Sequence, residues 1–272
     1  MGVPIKIGGD FDCGNNELAN LVGCPDTVGN GFNCDHNLLT SLFGCPSVIS
    51  GRIDCSGNRL SSLEFCPVNI GGNFNCGSNK LTSLEFRPNG VVGGFYCSNN
   101  QLSSLEFCPV SDINHFDCSG NKLTSLLGCP LTVSVNFTCH SNCLTSLKYC
   151  PVEVGNHFFC FGNYLTSLVG CPIKISGHLY CSDNKLVTLE GCPVRIGGNF
   201  FCNSNSLESF EGFPIAIGKV ICSDNNLKSD EVFMYDCSSE QIRQYYNNKN
   251  LSEQLSGSLI GSAEVVIKSK KI

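Results

Sequence analysis

Gly71-Gly72-Asn73-Phe74-Asn75-Cys76-Gly77-Ser78-Asn79-Lys80-Leu81-Thr82-Ser83-Leu84-Glu85-Phe86-Arg87-Pro88 is one unit of a repeat that runs through most of the chain. All eleven prolines, from Pro4 to Pro214, stand 21 residues apart. A cysteine column, Cys13 to Cys222, keeps the same spacing, with one step of 20 at its end. Two residues before each of these cysteines is an apolar residue, as in Phe11, Phe32, Ile53 and Phe74. Three residues after each is an asparagine, Asn16 to Asn225, and two further on a leucine, Leu18 to Leu227.

The columns predict the form of each unit. Phe-x-Cys alternates with period two, so it reads as a short strand with Phe and Cys turned inward. The glycine pair before it supplies a turn. The asparagine bonds backbone groups where the chain leaves the strand, and asparagines stacked in register form a ladder. Leu-x-x-Leu fills the core from the far side, and proline closes the coil because it has no N–H to continue a ladder. One unit cannot bury its own apolar face; stacked units share one core.

Phe-x-Cys-x-x-Asn-x-Leu resembles the leucine-rich-repeat signature, with Phe and Cys in place of two leucines. Leu165-Thr166-Ser167-Leu168 and the Cys171-Pro172 that follows look like the short bacterial form, and the Cys-Pro variant with Gly-Gly before the strand is similar to repeats encoded by tailed phages. The resemblance covers roughly residues 1–230. It implies a right-handed solenoid of about 11 repeats with a parallel β-sheet on its concave face. It also implies a protein-binding or assembly scaffold: a structural or decoration protein of a phage virion or, alternatively, an intracellular effector that binds and inhibits a host protein through the concave face. The partners so implied are proteins, among them other virion subunits or copies of the chain itself.

Residues 231–272 are expected to form a small α/β cap or docking tail. Ser238-Ser239-Glu240-Gln241 reads as a helix start. Ile242, Tyr245 and Tyr246 make an apolar face that Leu251 and Leu255 continue, and Ala263–Lys268 reads as a strand. At the other end, Gly2-Val3-Pro4-Ile5-Lys6-Ile7 matches Gly170–Ile175, so the array starts inside a repeat.

The chain holds 21 cysteines. Eight precede a proline, while Arg87 and Phe213 fill the equivalent places in other units. A place that accepts Phe is a packing place, and an odd strand column cannot pair within itself. The thiols are therefore expected to be reduced core filler rather than disulfides. There is no C-x-x-C pair, and no metal or other cofactor is expected. A net charge of −6 without clustered Lys and Arg argues against nucleic acid. Absence of a run of ~18 apolar residues argues against a membrane span. Met1–Asp10 does not read as a signal peptide, so the cytoplasm of the producing cell is expected. With no G-x-S-x-G, H-E-x-x-H or phosphate-binding glycine loop, neither enzymatic activity nor a small-molecule substrate is expected.

The positions flanking the inward strand residues should face solvent. In early units they are Asp10, Asp12, Asp35, Arg52, Asp54, Asn73 and Asn75. In later units they include Tyr96, His115, His140, His157, Phe159, Phe161, His178, Tyr180 and Phe201. These nine are the candidate partner-binding residues, since aromatic enrichment marks interface centres. Cross-strand stacking that only stabilises the sheet is the other reading.

Overall fold

A computed structural model describes residues 5–109, 112–216, 218–227, 240–249 and 251. The chain is a parallel β-solenoid. Its long sheet has eleven two-residue strands in strict chain order, from Phe11–Asp12 and Phe32–Asn33 through Phe137–Thr138 to Phe200–Phe201 and Val220–Ile221. Each pairs with the next in register, Phe74 with Phe95 and Phe95 with Phe116. The hydrogen bonds run on past each strand: the Cys76 N–H donates to Tyr96 O at 2.9 Å.

The predicted columns are the core. Phe32, Phe74, Phe95, Phe116, Phe137, Phe158 and Phe200 are fully buried, as are strand cysteines Cys34 to Cys181 and the leucines from Leu39 to Leu207. A thiol has a use here that leucine lacks. Cys13, Cys55 and Cys181 donate S–H to a carbonyl of the next coil, Asn33, Asn75 and Phe201, at 3.2–3.3 Å. The described cysteines form no disulfides. Burial pushes the Cys13 and Cys45 thiols up to about 12 and those deeper in the core higher still, so they stay protonated and weakly nucleophilic.

The asparagine ladder forms as the sequence requires. Asn121 Nδ2 donates to Cys118 O and Ser119 O in its own coil and to Cys97 O in the coil before, each at 3.1 Å. Its Oδ1 accepts the Leu102 N–H at 3.0 Å. The same pattern recurs from Asn37 to Asn225.

A second set of strands was not evident in the sequence. Lys6–Ile7, Thr27–Val28 and Val48–Ile49 form one parallel sheet, and Thr132–Val133 to Ile215–Ala216 a five-stranded one. Between them, Ile70 and Val91 keep the inward place and are buried, and Ile70 bridges to Ile49, but the third coil departs from the pattern. Asp112 occupies the place filled elsewhere by Val or Ile, and the buried Ile113 bridges to Val133 from one position later. The glycine pair has a different reason from the expected turn. A Cβ at Gly71, Gly155 or Gly197 would stand 1.9–2.0 Å from the carbonyl oxygen of Ser50, Ser134 or Ser176 in the preceding coil. Glycine there permits close stacking of backbone on backbone.

Helix 240–249 lies against the last coils. It buries Ile242 and Tyr246, Tyr246 Oη accepts the Phe210 N–H at 2.8 Å, and Arg243 donates to Phe213 O at 3.1 Å. Leu251 does not continue this face; it is 57% exposed. Five residues beyond Tyr246 turns it roughly 140° away on a helical wheel. Ser238, Ser239, Leu255, the Ala263–Lys268 segment and Gly2–Pro4 fall outside the described residues.

Candidate functional site

The outward face of the long sheet divides along its length. In early coils the residue before each strand cysteine is Asp or Asn, and its side chain is engaged within the sheet. Asp12 Oδ1 accepts from the Gly14 N–H at 2.9 Å and from Asn33 Nδ2 at 3.1 Å. Asp54 accepts from Ser56 N and Oγ and from Asn75 Nδ2. This acidic stretch is a hydrogen-bonded ladder, so much of its polarity is spent on the loop that follows each strand.

Later the same column becomes Phe159, Tyr180 and Phe201, with no such bonds to make. Their rings stack at 4.6 and 4.3 Å, with interplanar angles of 16° and 5°. The core does not need them, because the inward neighbours Phe158, Leu179 and Phe200 already fill it. The stack is a half-buried apolar plate about 9 Å long on three adjacent strands. Ring faces are covered by one another, so its centre offers ring edges.

All nine candidate residues are half-buried on this face, but they do not form one cluster. His157 and His178 stack at 4.5 Å and flank the plate, His157 edge-on to Phe159 and His178 edge-on to Tyr180 and Phe201. His140 and Phe161 stack at 4.1 Å in the column on the other side. Tyr96 and His115 stand apart at 6.3 Å from each other, with Asp117 and Thr138 between Tyr96 and Phe159 in their column. Tyr96 instead walls a polar groove of about 340 Å³ with Arg52, Asp54 and Asn73.

The histidines have a backbone role. His157 Nδ1 accepts the His178 N–H at 3.0 Å, and His178 Nδ1 accepts the Asn199 N–H at 2.7 Å. Asn73, Asn136 and Asn199 in the same column accept equivalent N–H groups through Oδ1. An imidazole that accepts through Nδ1 is the tautomer with its proton on Nε2. Burial, and then the neighbouring His178, lower the pKa of His157. The sign follows: a depressed histidine binds fewer protons folded than unfolded, so stability is full above the ordinary value of about 6.5 and falls as pH drops below it. Thermal melts from pH 7.5 to about 5 should lose Tm in the native chain. The His157→Asn variant should keep its Tm at neutral pH and flatten the acid slope, since Asn supplies the acceptor without titrating. An unchanged slope would refute the assignment.

The solved structures that resemble this chain include a bacterial protein. YopM from Yersinia enterocolitica WA-314 superposes with a TM-score of 0.56 at 18% identity, over 81% of this chain. The chain has a leucine-rich-repeat-like fold. At that identity the likeness is one of fold, and this chain spans only 56% of the length of YopM. No protein-family model and no curated protein matches the sequence.

A further set of surface residues escaped the sequence reading: Phe43, Phe65, Phe86, Phe107 and Tyr149, all about half exposed on the loops before proline. The signal was present. Two residues before proline the chain carries glycine in most units and an aromatic in four.

Proposed function

We propose that this protein is a non-enzymatic scaffold that binds a protein partner on the outward face of the long sheet, in the cytoplasm of the producing cell. The observation that carries this reading is the Phe159–Tyr180–Phe201 plate, apolar, ordered by stacking and unnecessary to the core. Stacked rings lose little side-chain entropy on docking, which makes them effective anchors. The abundant thiols support a role without chemistry, because burial keeps them protonated.

The partner in this reading is a protein. The phage-like Cys-Pro unit favours a neighbouring virion subunit; a host protein is the competing choice. Tagged protein should capture its partner from phage-infected lysate, with particle proteins expected over host proteins. Phe159→Ala with Tyr180→Ala should weaken capture by at least about tenfold, the scale of a lost hot spot, with an unchanged circular dichroism spectrum. Capture that survives both substitutions would refute the plate as the docking site.

A further inference from the structure

Two residues before each proline from Pro25 to Pro214 the backbone is left-handed. Gly23, Gly44, Gly128, Gly170, Gly191 and Gly212 hold φ between 77° and 94° there. Phe65, Phe86, Phe107 and Tyr149 hold the same place at φ of 65–69°. Left-handed backbone is strained for a residue with a Cβ and free for glycine. The chain therefore accepts strain at four coils where its other units show the relaxed solution. The core does not repay it, since these rings are 49–55% exposed.

Three of the four are in consecutive coils, and Phe43 extends the row, its ring edge-on to Phe65 at 5.4 Å. Phe65, Phe86 and Phe107 with Val68 line a groove of about 260 Å³. The same stretch breaks a second column. Arg87 replaces the usual cysteine, and its guanidinium donates to the carbonyls of Phe107 and Pro88, which pins the loop to its neighbour. Bulky apolar groups in strained backbone that nothing internal requires are a mark of a functional surface.

The rim of the row is acidic. Glu64, Glu85 and Glu106 each immediately precede a phenylalanine of the row and are exposed. None has an ion-pair partner among the described residues, whose single pair is His36 with Asp35. Arg87 offsets one of the three carboxylates, but its donors are occupied by carbonyls. Two copies meeting about a two-fold axis on this row would bring glutamates near glutamates, and an anionic membrane would be repelled. We propose that the loops of the coils carrying Phe43 to Phe107 form a second docking surface, for a segment of another protein in which Lys or Arg flank apolar side chains. It is independent of the strand-face plate.

The test uses the full chain and two synthetic amphipathic peptides of equal length, one patterned in Leu and Lys, the other in Leu and Glu, followed by fluorescence anisotropy. The Leu/Lys peptide should bind and the Leu/Glu peptide should not. Phe65→Gly, Phe86→Gly and Phe107→Gly together should weaken binding at least about tenfold while leaving Tm unchanged or higher, because glycine relaxes the backbone. Glu64→Gln, Glu85→Gln and Glu106→Gln should weaken it similarly and remove its salt dependence. Binding retained by the glycine triple would reduce the effect to general charge attraction and overturn the proposal. A lower Tm for that triple would make the rings structural, with the same consequence. A native dimer that the glycine triple converts to monomer would assign the row to a second copy and overturn the basic partner.

Discussion

Asn121→Ala should lower stability by about 3 kcal/mol, and the nearly isosteric Asn121→Asp by more. The estimate comes from what each lost bond leaves behind. Asn121 is 8% exposed and sits at the middle of the ladder. Its three acceptors have alternatives. Cys97 O keeps Asn100 Nδ2, Cys118 O keeps Asn142 Nδ2, and Ser119 O keeps the Asn99 N–H. The Leu102 N–H loses its partner within the solenoid, and a buried orphan costs about 1–3 kcal/mol. Three weakened acceptors add roughly 0.5 kcal/mol or more each. Aspartate is worse because a carboxylate oxygen in the Nδ2 place would face three carbonyl oxygens with no proton to share at neutral pH. Asn16→Ala is the internal control. It lies in the first described coil, is exposed, bonds only Cys13 O and Gly14 O among the described residues, and should cost less than about 1 kcal/mol. Urea melts followed by circular dichroism distinguish them. Equal losses for Asn16→Ala and Asn121→Ala would refute the ladder as a source of stability.

The parts of this fold that were legible in the sequence are those where one physical demand recurs in every coil. Each strand must put an apolar residue inward, each exit from the strand must satisfy backbone carbonyls, and each coil must fill its far side. Phe74, Cys76, Asn79, Leu81 and Leu84 answer those demands in order, and the same letters return one period later. The second set of strands was hidden because it is marked only by one inward Val or Ile per unit, between variable neighbours. Asp112 interrupts even that mark.

The structure places the nine candidate residues on one face and divides them into separate groups. Aromatic enrichment located Phe159, Tyr180 and Phe201, and the structure stacks them. His157 and His178 were grouped with them by residue type, yet their Nδ1 atoms do what Asn136 and Asn199 do with Oδ1. Comparing each column from top to bottom, rather than residue types along the face, would have exposed that equivalence. The same comparison finds the loop row, where Phe65, Phe86, Phe107 and Tyr149 interrupt a column of glycines. A column of identical residues reports packing; the substitutions within a column report what is particular to this chain.

Phe137→Ala should lower stability by about 3–5 kcal/mol, the usual cost of emptying a buried phenylalanine site. Phe137 is fully buried between Phe116 and Phe158, with ring centroids 5.9 and 5.3 Å away and rings within 6° of parallel. Neighbouring backbones stacked through in-register strands cannot close over the void without breaking their own bonds, so little of the cavity should collapse. In a solenoid each coil contacts only its neighbours, so stability is a sum of unit terms and interface terms. Weakening two successive interfaces at mid-array therefore divides the molecule. The coils before Phe137 and those after it should melt in two transitions where the native chain melts in one. Phe137→Leu should cost only about 1 kcal/mol, since Leu179 occupies the same column fully buried. Phe11→Ala should lower stability without splitting the melt, because Phe11 is half-buried in the first described coil and, among the described residues, has a stacked neighbour, Phe32, on one side only. Differential scanning calorimetry reads both quantities. A single cooperative transition for Phe137→Ala, shifted no further than that of Phe11→Ala, would refute nearest-neighbour coupling as the source of this protein's cohesion.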